Sequence, residues 1–173
     1  FGSDDVADTL VHDTVEHLLR YLHVTVKADL SHINSLSRIA KEQFMNLDAT
    51  AVRNLELIKN MRDGSKRGTL LDVLDFTSTS MGARKLRNWI ECPLLDLSQI
   101  RSRQEAVGEL LTNVQMRGNL QDKLKAIFDL ERIVSRIEVG SANARDLVSL
   151  RSSLAVLPEI KSLLRYCNSK LLQ

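Results

Sequence analysis

Apolar residues recur at helical spacing along most of this chain. Over residues 5–23, valines and leucines fall at every third or fourth position, and Ser3 or Asp4 stands where an N-cap is expected. From residue 49 onward the same periodicity continues between capping residues and turn residues. It predicts helices over 49–59, 70–74, 77–92, 96–112, 119–127, 129–140 and from 143 onward. The pattern is typical of a mainly α-helical protein.

The stretch 24–47 has a different pattern. Residues 24–26 are β-branched, and residues 44–47 form a short apolar run. Between them, every second position from 33 to 39 is occupied by Ile33, Ser35, Ser37 and Ile39. We therefore predict two short strands that pair as a hairpin. The expected fold class is mainly α, with a small β-hairpin near the N-terminal third.

The last predicted helix carries a regular row of leucines. Leu147, Leu150, Leu154 and Leu157 follow each other at alternating steps of three and four. This spacing predicts the seam of a packed helix pair. Pro158 follows directly, and because an interior proline costs a helix about 3 kcal/mol or more, we expect a kink or a short break there.

Composition agrees with a folded protein and argues against a dedicated DNA groove. The 173 residues are 43% hydrophobic and 27% charged, which excludes an intrinsically disordered chain. The net charge is only +2, and the basic residues alternate with acidic ones along the predicted helices. A nucleic-acid-binding domain usually concentrates basic residues on one face, so a solvated charged surface is the favoured interpretation.

Several features indicate a cytoplasmic segment of a longer protein. The sequence contains no signal peptide and no apolar run of about 18 residues, which a membrane helix needs. Cys92 and Cys167 are far apart and belong to no ligand motif, which predicts reduced, partly buried thiols. The sequence starts at Phe1 without an initiator Met, so we expect that it was taken from a longer chain.

Candidate chemical motifs are weak. The histidines at positions 12, 17, 23 and 32 lack the spacing of a helical zinc site. Gly64 and Gly68 surround Lys66 and Arg67 without the spacing of a phosphate-binding loop, so the segment predicts a surface turn.

The remaining charged and aromatic candidates also favour structural roles. Asp72 and Asp75 precede Arg84 and Arg87, which favours salt links over paired-carboxylate chemistry. The short basic cluster of Arg84, Lys85 and Arg87 could touch a phosphate, but a solvated helix face is the simpler interpretation. Trp89 lies at helical spacing from Leu86 and Ile90, which predicts packing in the core rather than base stacking.

Three stretches resemble consecutive blocks of the MutS family of DNA mismatch-repair proteins. The first comprises residues 44–57, with the letters FMNLDATAVRNLEL. The second comprises residues 68–95 and begins GTLLDVLD, and the third comprises residues 129–147 and begins DLER. The blocks follow the order and spacing of the family over nearly the whole chain.

The resemblance implies a position within a larger machine. MutS proteins run from a mismatch-reading domain through a connector to a helical core with long levers, a DNA clamp and a C-terminal ATPase. The expected domains here are a connector-exit helix at 1–27, a helical core with short strands at 28–142, and the start of a lever helix at 143–173. The implied function is structural and allosteric, since the levers couple DNA clamping to nucleotide state.

The resemblance assigns no catalytic, cofactor-binding or metal-binding residue to this chain. None of Phe1, Phe44, Phe76 and Phe128 starts the Phe-x-Glu motif of the mismatch reader, and no Walker A loop is present. The segment is therefore not expected to be an enzyme. ATP with Mg²⁺, mismatched duplex DNA and a homodimer partner belong to the full-length family protein, which is implied to be bacterial, cytoplasmic and nucleoid-associated. The segment alone should bind DNA weakly or not at all.

Two other interpretations stay open at the level of sequence. The chain could be a stand-alone helical protein-interaction module. It could also be the core of the recombination-related MutS branch, which shares this part of the protein.

Overall fold

The computed structural model describes residues 9–26, 33 and 43–173. The chain divides into two compact units, Phe1–Lys41 and Glu42–Gln173. The first unit contains helix α1, Thr9–Val26. The helices of the second unit are α2 Ala49–Asn54, α3 Leu70–Leu74, α4 Ser80–Glu91, α5 Leu97–Thr112, α6 Val114–Lys125, α7 Leu130–Glu138 and α8 Ala144–Leu164. The prediction of a mainly helical fold is confirmed.

The predicted β-hairpin is wrong for the residues that the structure describes. Residues 24–26 form the last turn of α1, because the helix preference of β-branched residues is only a few tenths of a kcal/mol below that of the best formers. The alternating residues from 33 to 39, on which the prediction also rested, lie outside the described residues except for Ile33. Phe44 instead makes an isolated antiparallel bridge with Leu94, 50 positions along the chain.

Helices α2 to α8 each begin at a side chain that accepts a backbone N–H of the first turn. These N-caps are Asp48, Thr69, Thr79, Asp96, Asn113, Asp129 and Asn143. Most of these starts were predicted, because a cap is a local interaction between residues three positions apart. The exception is α6, whose start was predicted at residue 119 although Asn113 begins it. Helix α2 is also shorter than predicted and ends at Asn54 instead of residue 59.

The packing of the second unit centres on α8. Helices α6 and α7 both pack against α8, α5 packs against α6, and α3 packs against α4. The buried apolar residues are few and small to medium in size: Leu57, Leu71, Ala106, Ile133 and Cys167. Many larger apolar side chains are exposed, which leaves the unit with a thin core.

Helix α8 runs without a break through Pro158, so of the two predicted alternatives the short break does not occur. The predicted leucine seam is also not the packed face. Leu150 is half-buried, but Leu147, Leu154 and Leu157 are 54%, 48% and 40% exposed. The face that packs on α6 and α7 instead contains residues 146, 149, 153, 156, 160 and 163.

Candidate functional site: polar contacts joining α4, α7 and α8

Arg84 on α4 binds two carboxylates at the start of α7. Its Nη1 and Nη2 donate to the two oxygens of Asp129 at 2.8 and 2.7 Å. Its Nε and Nη2 donate to Oε2 of Glu131 at 3.0 and 2.5 Å. Two parallel hydrogen bonds between a planar guanidinium and a carboxylate fix both side chains in orientation as well as position. Arg84 therefore joins α4 to the N-terminus of α7.

The electrostatics of this junction follow from its hydrogen bonds. Arg84 holds the pKa of Asp129 at about 2, and a further backbone bond from Arg132 acts in the same direction. The pKa of Arg84 is raised in turn by Asp129 and then by Glu131. The Asp129 side chain is only 18% exposed, whereas that of Glu131 is 67% exposed. Asp129 is therefore the stronger partner, and Glu131 adds a solvent-screened contact.

A second junction joins the end of α7 to the start of α8. Arg136 donates from Nε and Nη2 to the two oxygens of Asp146 at 3.1 and 2.5 Å. Asp146 also accepts the backbone N–H of Asn143 at 3.0 Å, and the Asn143 side chain accepts the N–H of Asp146 at 3.1 Å. This reciprocal capping box and the Arg136 pair lower the pKa of Asp146, the backbone bond being the larger cause. Both ends of α7 are thus held by arginine–carboxylate pairs.

A buried hydroxyl fixes the loop before α7 against the middle of α8. Ser153 is 0% exposed, and its Oγ accepts the backbone N–H of Phe128 at 3.0 Å. The same Oγ donates to the carbonyl of Ser149 at 2.9 Å. Because the hydroxyl is completely buried and both bonds are partly shielded from water, losing it would leave the N–H of Phe128 without this partner.

The C-terminal end of α8 is held by a separate set of contacts to α5 and α6. Lys123 on α6 pairs with Glu159, across a groove of about 440 Å³ between the two helices. The Glu109 carboxylate on α5 accepts the backbone N–H groups of Asn168 at 2.7 Å and Ser169 at 2.9 Å. Between these contacts, Cys167 is buried, which raises the pKa of its thiol, and the charge of Glu109 adds to that effect.

The histidines and the segment from Gly64 to Gly68 contribute no residue to these junctions. His12, His17 and His23 are exposed along α1, and His32 lies outside the described residues. The segment from Gly64 to Gly68 is the predicted surface turn, and both glycines have positive φ, at 72° and 78°.

The predicted salt links from Asp72 and Asp75 to Arg84 and Arg87 are wrong. Asp72 accepts the backbone N–H of Gly68 at 3.0 Å, and Asp75 pairs with Lys66. The pKa of Asp75 is lowered by that Lys66 bond and then by Thr77. The real partners of Arg84 lie 45 and 47 residues away, a distance at which no local pattern gives a signal.

The predicted core position of Trp89 is also wrong. Its side chain is 37% exposed, and the Arg103 guanidinium from α5 lies over the ring at 3.9 Å from the centroid. Of the basic cluster, Arg84 is taken by α7 and Arg87 pairs with Glu91 on its own helix at 3.4 Å. Lys85 and Arg87 are exposed, as the interpretation of a solvated helix face requires, whereas Arg84 does not fit it because it is bound to α7.

The described ranges contain no helix that is both long and apolar enough to cross a bilayer. Over the same ranges, no three His, Cys, Asp or Glu side chains come together in a way that could hold a metal ion. The contacts described above connect helices α4, α7 and α8.

Comparisons with known proteins agree on one family. The sequence model of MutS domain III matches residues 50–173. A DNA mismatch repair protein MutS of Pelotomaculum thermopropionicum is 50% identical over 173 aligned positions, which cover 95% of this chain and 20% of the relative. The MutS of Symbiobacterium thermophilum is 48% identical, covering 93% of this chain and 18% of the relative. For the MutS of Staphylococcus epidermidis the identity is 42%, with 95% of this chain and 19% of the relative covered. The chain thus spans about a fifth of the length of these relatives.

Proposed function

Since the chain belongs to the MutS domain III family, we propose that it is the mechanical core segment of a longer mismatch-repair ATPase, where it couples DNA clamping to nucleotide state. In that longer protein the partners are mismatched duplex DNA and a second copy of the chain, and ATP with Mg²⁺ is bound by a different domain. The segment itself is a transmitter of displacement and performs no chemical step.

The observation that carries this proposal is the continuous path from α4 through α7 to α8. Arg84 binds one end of α7, and Arg136 binds the other end to the start of α8. A helix held at both ends by bidentate pairs moves as a rigid body with its neighbours, so a displacement of α4 is passed to α8. Coupling between distant sites requires a rigid path of this kind together with two arrangements that each site can bias.

A division of the chain is part of the same proposal. We assign residues 1–27 to the exit of a connector, residues 28–142 to the core, and residues 143–173 to the start of a lever. The capping box of Asn143 and Asp146 supports the last boundary, because it fixes where the long helix begins.

The test is made in the full-length protein that contains this sequence. Arg136→Ala removes the junction between α7 and α8 and should reduce the stimulation of ATP hydrolysis by mismatched DNA. Coupling of this kind is typically worth about 5–150-fold, so a loss of at least about fivefold is expected. ATP hydrolysis without DNA should stay unchanged, because the nucleotide site is in another domain.

Arg145→Ala is the matched control. Arg145 is an exposed arginine in the first turn of α8, one position before Asp146, and it forms no ion pair within residues 43–173. The control should keep full stimulation. If Arg136→Ala also keeps full stimulation while its melting temperature falls, the junction is only structural and the proposal is wrong.

A further inference from the structure

Helix α8 is held by different neighbours on the two sides of Pro158. Before the proline, Asp146 is bound by Arg136 of α7, and Ser153 is bound by the loop that precedes α7. Through Arg84, α7 is in turn attached to α4. Residues 144–157 therefore belong with α4 and α7, a set that we call the N-terminal body.

After the proline the contacts change to α5 and α6. Glu159 pairs with Lys123 of α6, and the turn that follows α8 is held by Glu109 of α5. The sulfur atoms of Cys167 and Met116 also lie 3.8 Å apart. Residues 159–169 therefore belong with α5 and α6, a set that we call the C-terminal body.

The boundary between the two bodies coincides with the weakest point of the helix. Pro158 has no N–H, so the helical hydrogen bond to the carbonyl of Leu154 cannot form. The side chains of Leu154 and Leu157 are 48% and 40% exposed, whereas those of Val156 and Ile160 are half-buried, so packing holds this turn from one side only. The loop between α6 and α7, residues 126–129, also passes from one body to the other, and its Phe128 is bonded to Ser153, five residues before Pro158.

We propose that Pro158 is a hinge, about which the C-terminal body bends relative to the N-terminal body. This inference deepens the proposed function, on which its role in coupling rests: it names the turn at which the lever would bend. The contact of Arg103 with Trp89 crosses from α5 to α4 and is partly exposed, so it would slide or break as the hinge bends. The groove between α6 and α8 lies within the C-terminal body and would move without changing shape.

The hinge is tested on the 173-residue chain by backbone residual dipolar couplings. In a weakly aligned sample, amides of α7 with residues 145–153 and amides of α6 with residues 159–164 should require two different alignment tensors. Pro158→Ala restores the missing hydrogen bond and is compatible with a helix interior, so the variant should fold and a single tensor should fit both bodies. Ser152→Ala is the control, since Ser152 is exposed on the same helix and its replacement leaves the backbone bonds unchanged.

Each result has a defined meaning. If a single tensor fits the unaltered chain, or if Pro158→Ala still requires two, Pro158 is not a hinge. In the full-length protein, Pro158→Ala should lower DNA-stimulated ATP hydrolysis by at least about fivefold, whereas Ser152→Ala should not. If the couplings behave as expected and the stimulation does not change, the hinge exists but plays no part in the coupling. Loss of stimulation in Arg136→Ala then still decides whether the proposed coupling function holds.

Discussion

The Arg84 junction can be tested by removing one charge without removing the helix cap. Asp129 both binds Arg84 and accepts the backbone N–H of Arg132 at 3.3 Å as the N-cap of α7. Asparagine is an equally good N-cap, so Asp129→Asn keeps the cap while it removes the charge. Any loss of stability then reports the ion pair rather than the helix end.

The loss of stability expected for Asp129→Asn follows from the pKa of Asp129. A folded-state pKa of about 2, against 3.8 for an unperturbed Asp, corresponds to about 2.4 kcal/mol at about 1.4 kcal/mol per pH unit. Arg84 is 40% exposed, so solvent screening reduces the attraction, and we expect a loss of about 1–2 kcal/mol at pH 7. Because the pKa is depressed by folding, this contribution is fully present well above pH 3.8. It is lost as the pH falls through 2.

The assay is urea unfolding at pH 7, 5, 3 and 2, followed by circular dichroism. It measures the difference in free energy of unfolding between the unaltered chain and Asp129→Asn. Other carboxylates titrate in both proteins and cancel in the difference. The gap should be constant between pH 7 and 5, smaller at pH 3 and mostly gone at pH 2. Asp122→Asn is the control, because Asp122 and its partner Lys125 are 74% and 61% exposed and should matter little. Equal stability at pH 7, or a gap that persists unchanged at pH 2, would refute the reasoning.

Three further predictions concern the surface of the chain. Trp89→Ala should lower the free energy of unfolding in urea melts by about 1–2 kcal/mol, because the ring is 37% exposed and mainly covered by Arg103. A loss of about 3–5 kcal/mol, which is typical of a core tryptophan, would place it in the core. Fluorescence anisotropy should show weak binding to duplex DNA with equal affinity for homoduplex and G·T-containing duplexes, and clear discrimination would mean that a mismatch reader has been overlooked. The exposed leucines of α8 should cause self-association at high concentration, which Leu147→Lys with Leu154→Lys should abolish in sedimentation runs; an unchanged dimer would place the interface elsewhere.

The features that sequence predicted well are those that depend on near neighbours. Asp48, Thr69, Asp96 and Asn143 were identified as helix starts because each cap needs only the residues of the following turn. Gly140 was identified as a helix end for the same reason, and its φ of 71° is the left-handed conformation that such an end requires.

The features that sequence missed depend on distant partners. Spacing from Leu86 and Ile90 indicates which face of α4 carries Trp89, but it does not indicate what covers that face. The leucine row of α8 was taken as its packed face, yet the position that is completely buried is Ser153, a residue with no apolar signal. Its burial is tolerated because its hydroxyl donates to the carbonyl of Ser149 and accepts the N–H of Phe128, which lies 25 residues away.

The carboxylates at the two ends of α7 join these local and distant interactions. Asp129 and Asp146 each hold a backbone N–H at a helix start, which restricts the orientation of the carboxylate before any arginine binds. When Arg84 and Arg136 pair with these carboxylates, the carboxylates therefore lose little further conformational freedom. Each pair is a stiff connection for this reason. At Pro158 the chain instead lacks a backbone hydrogen bond and has loosely packed neighbours. Stiffness at the two ends of α7 and weakness within α8 are what a lever needs, because motion is then concentrated at one turn instead of being spread along the helix.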